Sequence, residues 1–331
     1  MKEHIKMKKI AVVTSGGDVP GLNAALHAVV LTAMKHNVEI IGVNNGYDGL
    51  IDGKFTVLDF ERVRNIMDEG GTILRTSRSK RFTTSEGRRE ALHQLRHGEV
   101  DGLIVIGGNG SLQGIEVFAS EHSFPVMAIP KTIDNDVFGT DFAIGFDTAT
   151  NTIVEAIDRI KDTADSTSRL FIVEVMGRSA GFLALNSGIA VAADAIVVPE
   201  IKPDLEKLLS LAEHNLNVGN RSMIIVITEN TLTGGAMGLK KIMDDSFPQF
   251  DSRVTILGHI QRGGSPSAFD RTLASLLSYS ATEAFIKGKH GVMAGYVKGE
   301  VIFTPLNQVA GKINPLNNNL MKLAAELSIL V

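Results

Sequence analysis

Residues 130–136 hold the side chains of this chain that are best suited to chemistry. Their sequence, PKTIDND, offers two carboxylates two residues apart, a hydroxyl and a lysine. The loop follows residues 124–129, an apolar run that predicts a buried strand. Because ligands bind beyond the carboxyl ends of strands in open α/β sheets, we expect the loop to face an active site. The inventory suits phosphoryl transfer, with one carboxylate as a base and another near a metal. The alternative is a plain polar loop.

Three glycine-rich loops are further candidates. Residues 14–18 (TSGGD) and 107–111 (GGNGS) each follow a predicted strand and precede a predicted helix. Glycine lets backbone N–H groups approach an anion at such a helix N-terminus. Either loop alone could be a tight packing turn, but the pair favours phosphate binding. Neither matches the P-loop or the GxGxxG pattern. The third loop, 258–266 (GHIQRGGSP), carries His and Arg between glycines, which is typical of anion capture.

Four arginines stand at the ends of two predicted strands. Arg169 and Arg178 flank one strand, and Arg253 and Arg262 flank another. The guanidinium fork suits phosphate, although any one of these side chains could be solvated. Glu229, at the end of a further strand, could accept hydrogen bonds from sugar hydroxyls or be a surface carboxylate.

Short β-branched runs alternate with helical patterns along the chain. The predicted strands are 10–13, 38–43, 103–106, 126–129, 170–175, 195–198, 223–227 and 254–257, and the clearest helical patterns are 22–35, 88–96, 148–160 and 204–215. This alternation predicts mainly parallel sheets with helices on both faces. Since a single core stops growing at roughly 250–300 residues, 331 residues predict two doubly wound lobes with a site in the cleft between them.

Composition excludes several classes of protein. With no cysteine, the chain has no disulfide framework and no thiolate metal site. A net charge of −4 argues against a general nucleic-acid binder. The N-terminal apolar run, 10–13, is too short for a signal peptide, and no run of ~18 apolar residues predicts a membrane span. We therefore expect a cytoplasmic protein with no nucleic-acid or membrane partner.

Together these motifs resemble the bacterial 6-phosphofructokinase family. The matching stretches are 14–18, 130–136, 144–149 (IGFDTA), 173–178 (VEVMGR) and 258–266. The resemblance runs from about residue 8 to the C-terminal region. It implies transfer of a phosphoryl group from ATP to the 1-hydroxyl of fructose 6-phosphate, with Mg²⁺, in a homotetramer whose sites are shared between subunits.

The resemblance also implies the phosphofructokinase fold, which is an α/β fold of two Rossmann-like doubly wound domains with mainly parallel sheets. A larger, donor-binding domain comprises 1–145 plus 262–311. A smaller, sugar-phosphate-binding domain comprises 146–261 plus 312–331.

Site residues follow from the resemblance position by position. Asp134 matches the general base for the 1-hydroxyl, Thr132 and Arg178 match groups that hold the transferring phosphoryl group, and Asp136 supports the metal and base region. The sugar-phosphate positions are Arg169, Met176, Gly177, Arg178, Glu229, Arg253, His259 and Arg262, of which Arg169 and Arg253 reach across a subunit interface. The donor positions are Gly17, Tyr47, Arg78, Ser79, Gly107, Gly108, Asn109, Gly110, Ser111, Gly114 and Lys131.

Three positions bear on the donor. Asn109 stands where ATP-using relatives have an aspartate that binds magnesium, so this metal position keeps an oxygen ligand but loses its charge. Lys131 is typical of pyrophosphate-dependent relatives, which have lysine where ATP-type bacterial enzymes have glycine. Gly110 is of the ATP type, because pyrophosphate users place aspartate there. Some ATP-dependent members combine this glycine with lysine. We therefore expect ATP, with pyrophosphate as the alternative.

The effector site of the family is depleted of cations here. The matching positions are His27, Leu31, Lys161, Val218 and Asn220, and only Lys161 is firmly cationic. Because charge-assisted contacts are the strong ones, we expect little or no regulation by ADP or phosphoenolpyruvate. Two alternatives to the main reading stay open. One is a catalytically weak regulatory paralogue, which Asn109 favours; the other is a different sugar phosphate, such as sedoheptulose 7-phosphate.

Overall fold

The structure is a computed structural model that describes residues 7–167, 169–218, 222–248 and 251–331. These residues form two compact units. The first unit comprises 7–148 and 262–314, and the second comprises 149–261 and 315–331 within the described ranges. Each unit has a sheet and a hydrophobic core of its own. The predicted fold class, two Rossmann-like domains with mainly parallel sheets, is confirmed.

Strands and helices alternate along most of the chain. The strands are β1 Lys9–Ser15, β2 Glu39–Val43, β3 Phe55–Val57, β4 Gly102–Gly107, β5 Val126–Pro130, β6 Leu170–Val175, β7 Ala195–Val197, β8 Met223–Thr228, β9 Ser252–Ile256, β10 Val292–Val297 and β11 Glu300–Pro305. The α-helices are α1 Leu22–Lys35, α2 Gly46–Ile51, α3 Phe60–Val63, α4 Ser85–His97, α5 Asn109–His122, α6 Phe146–Thr167, α7 Phe182–Ala190, α8 Leu205–Asn217, α9 Gly235–Ser246, α10 Ala268–Ile286, α11 Leu306–Val309 and α12 Asn318–Glu326. Within the described ranges, no helix is long and apolar enough to span a bilayer.

The sheet of the first unit has seven strands in the order β11-β10-β5-β4-β1-β2-β3. Its five central strands pair in parallel, whereas β3 and β11 add antiparallel edges. The register pairs Ser15 with Gly107 and Gly107 with Pro130. The carboxyl ends of β1, β4 and β5 are therefore level. The direction of winding reverses between β1 and β4, which is where open α/β sheets bind ligands.

The sheet of the second unit has four parallel strands in the order β7-β8-β6-β9. Val175 at the end of β6 pairs with Thr228 at the end of β8, and Glu174 pairs with Ile256 at the end of β9. The loops that leave these three strands therefore start side by side. All six residues of β8 are buried, as expected of a central parallel strand that is covered on both faces.

The eight predicted strands are all present, but the pattern missed three others. β3 is only three residues long, and β10 contains Gly295, which weakens a strand signal. Gly295 lies against the Gly139 carbonyl, because a Cβ there would come within 2.1 Å of that oxygen. One boundary prediction was wrong in a way that matters for the site. β9 begins at Ser252, so Arg253 lies inside the strand rather than before it.

A buried carboxylate fastens the segment that leads from the 130–136 loop into α6. Asp270 is fully buried in the first turn of α10. Its Oδ1 accepts from the Gly145 N–H (2.9 Å), and its Oδ2 accepts from the Thr148 N–H (2.8 Å) and the Thr148 hydroxyl. Ser267 caps α10 by accepting from the Asp270 N–H, and its own N–H donates to Thr148 Oγ1 (3.0 Å). The first turns of α6 and α10 are therefore tied together.

Replacing this carboxylate should cost stability. We expect Asp270→Asn to lower the free energy of unfolding by about 2–3 kcal/mol, because an amide NH₂ cannot accept from groups that themselves donate. Ser278→Ala is the matched control on the same helix. Ser278 is buried and its hydroxyl has no hydrogen-bond partner among the described residues, so its loss should change stability by less than ~1 kcal/mol. Urea midpoints of both variants check this; equal midpoints would contradict the anchoring role.

Candidate active site

The two glycine-rich loops at the winding reversal are joined to one another. The Ser111 hydroxyl, in the first turn of α5, donates to Ser15 Oγ at the end of β1 (2.9 Å). The Gly16 N–H donates to the Ser77 carbonyl (3.2 Å), and the Thr76 hydroxyl donates to the Gly16 carbonyl (2.8 Å). α5 begins at Asn109, so its N-terminus opens at this edge of the sheet. Such an N-terminus favours an anion through its N–H groups and its dipole.

The loop after β5 is a fixed turn rather than a loose one. The Thr132 N–H donates to the Ile144 carbonyl (3.1 Å), and the Thr132 hydroxyl oxygen accepts from the Asp134 N–H (3.1 Å). Thr132 is 8% exposed and Asp134 is 6% exposed. The loop therefore presents a hydroxyl and a carboxylate in one preformed arrangement.

Asn135 is a structural residue of this loop that sequence reasoning missed. Its backbone has a φ of 51°, a conformation that asparagine tolerates better than most residues. Its side chain donates to the Asp141 carbonyl (2.9 Å) and accepts from the Ala143 N–H (2.8 Å). Asn135 thus clamps the turn from inside, between the two carboxylates that the motif supplies. The signal that could have found it is an asparagine between two aspartates at the tip of a turn.

The two predicted metal positions lie side by side. The Asn109 amide NH₂ donates to the Asp136 backbone carbonyl (3.2 Å), which joins the start of α5 to the end of the 130–136 loop. Amide and carboxylate oxygens are of the type that Mg²⁺ prefers, and Mg²⁺ is commonly held by one or two carboxylates plus substrate phosphates. The described residues contain no group of three or more acidic, His or Cys side chains that could hold a metal by itself. The chemistry of the two side chains suits a magnesium ion that substrate phosphates would also coordinate.

Gly110 borders open space. A Cβ added at this exposed position would meet no atom within 4 Å. A larger side chain would therefore project into the region in front of the α5 N-terminus without displacing protein atoms. Glycine keeps that region empty.

Lys131 is the cation of the site whose pKa is shifted most. It is 3% exposed, and its Nζ donates to the Gly17 carbonyl. Burial, and secondarily the nearby Arg262 guanidinium, lower the pKa of Lys131 to about 7. The side chain therefore does not point into solvent.

Four further residues are predicted to bind the phosphoryl donor, and one of them, Tyr47, supports the loop 107–111 through a hydrogen bond. The Tyr47 hydroxyl donates to the Ser111 carbonyl (2.7 Å), its ring stacks on Phe82 at 3.9 Å, and burial raises the pKa of Tyr47. Gly114 packs against the same two rings. The Ser79 hydroxyl donates to an Asp48 carboxylate oxygen (2.5 Å). Arg78, the next residue toward the N-terminus, is exposed.

The structure places Arg262 against the first glycine-rich loop. Its Nη1 donates to the Asp18 carbonyl (3.2 Å), and a Cβ at Gly17 would lie 2.6 Å from the same nitrogen. The resemblance groups Arg262 with the sugar-phosphate positions. Within the first unit it lies beside donor positions, so its cation reaches the region where the donor phosphates are expected.

In the second unit, a group of predicted residues follows β6, β8 and β9. The Arg178 N–H donates to Glu229 Oε1 (3.2 Å), and the Met176 N–H donates to Gln261 Oε1 (3.2 Å). Gly177 has a φ of 142°, and a Cβ there would lie 2.3 Å from the Ala180 carbonyl oxygen. The turn can therefore be made only by glycine.

His259 belongs to the same edge of the second sheet. It lies in the 3₁₀ turn Gly258–Arg262 after β9, and its side chain is exposed. The 3₁₀ turn is held by Gln261, which is fully buried and donates to the Gly258 carbonyl (2.9 Å). Sequence reasoning did not single out Gln261, although it lies inside a quoted motif.

The remaining two arginines lie at the amino ends of the strands of this sheet. Arg169 precedes β6, Arg253 lies at the start of β9, and both bind the Asp251 carboxylate (2.6 and 2.9 Å). The length of β6 alone separates this edge from Arg178 by about 16 Å. The second unit therefore brings the sugar-phosphate positions together as two clusters rather than one.

The effector positions are scattered over helices. His27 and Leu31 lie on α1, and burial lowers the pKa of His27. The Lys161 ammonium of α6 donates to the Val191 carbonyl, and Val218 is 62% exposed. Asn220 lies outside the described residues.

Comparison with known proteins gives a consistent result. The family model described as Phosphofructokinase matches residues 9–285. The ATP-dependent 6-phosphofructokinase 1 of Thermus thermophilus is 48% identical over 323 residues, which are 98% of this chain and 100% of the relative. The ATP-dependent 6-phosphofructokinase of Cytophaga hutchinsonii is 45% identical over 322 residues, which are 97% of this chain and 98% of the relative.

Solved structures agree on the fold. The phosphofructokinase of Pichia pastoris in the T-state superimposes with a TM-score of 0.86 at 32% identity, over 97% of this chain. This chain spans only 36% of that longer one. The pyrophosphate-dependent phosphofructokinase of Marinobacter aquaeolei gives a TM-score of 0.83 over 98% of this chain and 92% of its own. At 21% identity, that likeness concerns the fold alone.

The Tyr47 hydroxyl should stabilise the donor loops measurably. We expect Tyr47→Phe to lower the free energy of unfolding by about 1–2 kcal/mol, since it removes a buried hydrogen bond and keeps the stacked ring. Tyr279→Phe is the control, because Tyr279 is 48% exposed on α10 and should change stability by less than ~0.5 kcal/mol. Thermal unfolding of both variants checks the difference. No difference in Tm would show that the hydroxyl does not hold Ser111.

Proposed function

The chain belongs to the phosphofructokinase family, and from this premise we propose that it transfers the terminal phosphoryl group of ATP to the 1-hydroxyl of fructose 6-phosphate. The product is fructose 1,6-bisphosphate, and the reaction is the committed step of glycolysis. The bacterial relatives at 45% and 48% identity are named ATP-dependent 6-phosphofructokinases. One observation carries the proposal. The loops that contain residues 14–18, 107–111 and 130–136 leave the adjacent strands β1, β4 and β5 at the same level of the sheet.

ATP is the donor that the geometry favours. The open space in front of Gly110 leaves room for the part of the nucleotide beyond its phosphates. An aspartate at this position would fill that space with a negative charge. Lys131 does not obstruct the region, because its ammonium is held at the Gly17 carbonyl. We therefore propose that Lys131 contacts donor phosphate without restricting the donor to pyrophosphate.

Asp134 is the proposed general base. It lies in the preformed turn with Thr132 and is nearly buried, so the substrate hydroxyl would meet a carboxylate that needs little reorganisation. As the base takes the proton, the 1-hydroxyl oxygen forms a bond to the terminal phosphorus, the bond between that phosphorus and the bridging oxygen of ATP breaks, and ADP leaves with the electron pair. Thr132 and Arg178 would stabilise the charge on the transferring group, which is the main catalytic contribution in phosphoryl transfer. The sugar-phosphate positions of the second unit would hold the acceptor.

Magnesium is the proposed metal. Asn109 and Asp136 would hold it through an amide and a carboxylate oxygen, together with donor phosphates. Bound there, Mg²⁺ would neutralise part of the phosphate charge. The amide gives this chain one protein charge fewer at the metal than an aspartate would.

A homotetramer with shared sites is the proposed assembly. Arg169 and Arg253 lie at the amino edge of the second sheet, and Arg178 and Glu229 lie at its carboxyl edge. One phosphate ester cannot bridge ~16 Å, so the first pair would serve the site of a neighbouring subunit. The cytoplasmic location and the weak response to ADP and phosphoenolpyruvate stay predictions.

Removing the base tests the activity. We expect Asp134→Asn to lower kcat by ~10²–10⁴-fold, because the amide keeps the shape of the side chain but cannot accept the proton. The Michaelis constants for both substrates should change much less. Asp158→Asn, which alters an exposed aspartate on α6, is the control and should retain full activity. Unchanged turnover in Asp134→Asn would contradict the role of Asp134 as the base, whereas a wild type without turnover would favour a regulatory protein over an enzyme.

Mixing two inactive variants tests the shared site. Asp134→Asn lacks the base and Arg253→Ala lacks an arginine that is proposed to act in the neighbouring subunit. If the two are unfolded together and refolded as hybrids, about a quarter of the sites should contain both native groups. Activity at low fructose 6-phosphate should then recover toward that fraction. If the refolded mixture is no more active than the separate variants, each site is built within one subunit.

A further inference from the structure

Lys131 is a buried cation with no ion-pair partner. In the part of the chain that the structure describes, its ammonium makes one hydrogen bond, to the Gly17 carbonyl, and it forms no salt bridge. Burying an ammonium without a counter-charge is costly, so such a group either loses its proton or acquires an anion. The position of Lys131 beside the proposed phosphate loops indicates which anion that is.

The surroundings of the ammonium combine cations, carboxylates and helix-terminal N–H groups. Arg262 and Arg78 disfavour the charged form, whereas Asp18 and Asp134 favour it. The first turn of α5, whose Ser111 lies beside Gly16 as Lys131 Nζ does, contains no acidic residue. Burial is the largest influence, and together these groups lower the pKa of Lys131 to about 7. In the donor-free protein, the side chain is therefore divided between amine and ammonium near neutral pH.

We propose that Lys131 takes up a proton when donor phosphates bind between the two glycine-rich loops, so that donor binding and protonation of this side chain are coupled. The inference rests on the proposed function, which places the donor phosphates there. The added proton comes from the solvent and is held on Nζ; no bond to phosphorus forms or breaks in this step. The polyanion supplies negative charge beyond that of Asp18 and Asp134.

The sign of the coupling follows from the two states. Donor phosphates raise the pKa of Lys131 above its donor-free value, because they favour the ammonium. Below about pH 7 the side chain is already charged, so its protonation does not change donor affinity. Above that pH, binding must also add a proton, and affinity falls by up to tenfold per pH unit until the donor-bound pKa is reached.

Proton uptake can be counted directly. Isothermal titration of the full-length protein with MgATP, without fructose 6-phosphate, is carried out at about pH 8 in two buffers of different ionisation enthalpy, where the terminal phosphate of ATP has lost its own proton. We expect the wild type to take up a substantial fraction of one proton for each ATP bound. Lys131→Met should bind more weakly and take up almost none. Lys35→Met, which alters an exposed lysine on α1, should match the wild type.

The outcomes separate this inference from the proposed function. ATP binding with the same proton count in wild type and Lys131→Met overturns the coupling and leaves the function intact. Absence of ATP binding to the wild type overturns both. If Lys131→Met does not fold, the wild-type pH series decides: uptake that rises between about pH 6 and pH 8 supports the coupling, and a flat zero overturns it.

Discussion

The level carboxyl ends of β1, β4 and β5 are the constraint on which the candidate site of the first unit depends. Hydrogen bonding between parallel strands fixes Ser15 opposite Gly107 and Gly107 opposite Pro130. Each loop must therefore begin at the same height, and no side chain has to reach far to meet the others. The bonds from Ser111 to Ser15 and from Asn109 to Asp136 are consequences of that register. A one-residue slip would reverse the faces of a strand and separate all of them.

Crowding at this edge explains its electrostatics. Glycines let backbones approach closely, and the side chain of Lys131 is left nearly inaccessible to water. Its ammonium makes one hydrogen bond among the described residues, to a carbonyl. The guanidinium groups of Arg262 and Arg78 add further positive charge near this ammonium, which favours the binding of a polyanion. Stability is supplied elsewhere, by buried groups such as Asp270 that satisfy backbone donors. The ammonium that is proposed to bind donor phosphate thus forms no salt bridge among the described residues, whereas the carboxylate that holds the fold has its hydrogen-bond donors.

Much of the fold was predictable because it depends on local pattern. Buried parallel strands read as continuous apolar runs, and α1 was predicted with its observed bounds. The hairpin β10–β11 was missed because β10 contains Gly295. This glycine is needed for a close contact with the Gly139 carbonyl, which is distant in the sequence and so leaves no local pattern. The candidate site residues were inferred from motifs, but the partners that the structure gives them were not. Burial of Lys131, the Arg262 contact with Asp18 and the pairing of Arg169 and Arg253 through Asp251 arise only when distant segments meet.

A paired assay tests the central claim most directly. Purified protein is given fructose 6-phosphate and Mg²⁺, with ATP in one arm and pyrophosphate in the other, and fructose 1,6-bisphosphate is measured. We expect turnover with ATP and little with pyrophosphate, because the open space at Gly110 has more influence than Lys131 on the choice of donor. Turnover with pyrophosphate alone would contradict it and would assign the choice to Lys131. Silence in both arms would contradict the activity itself.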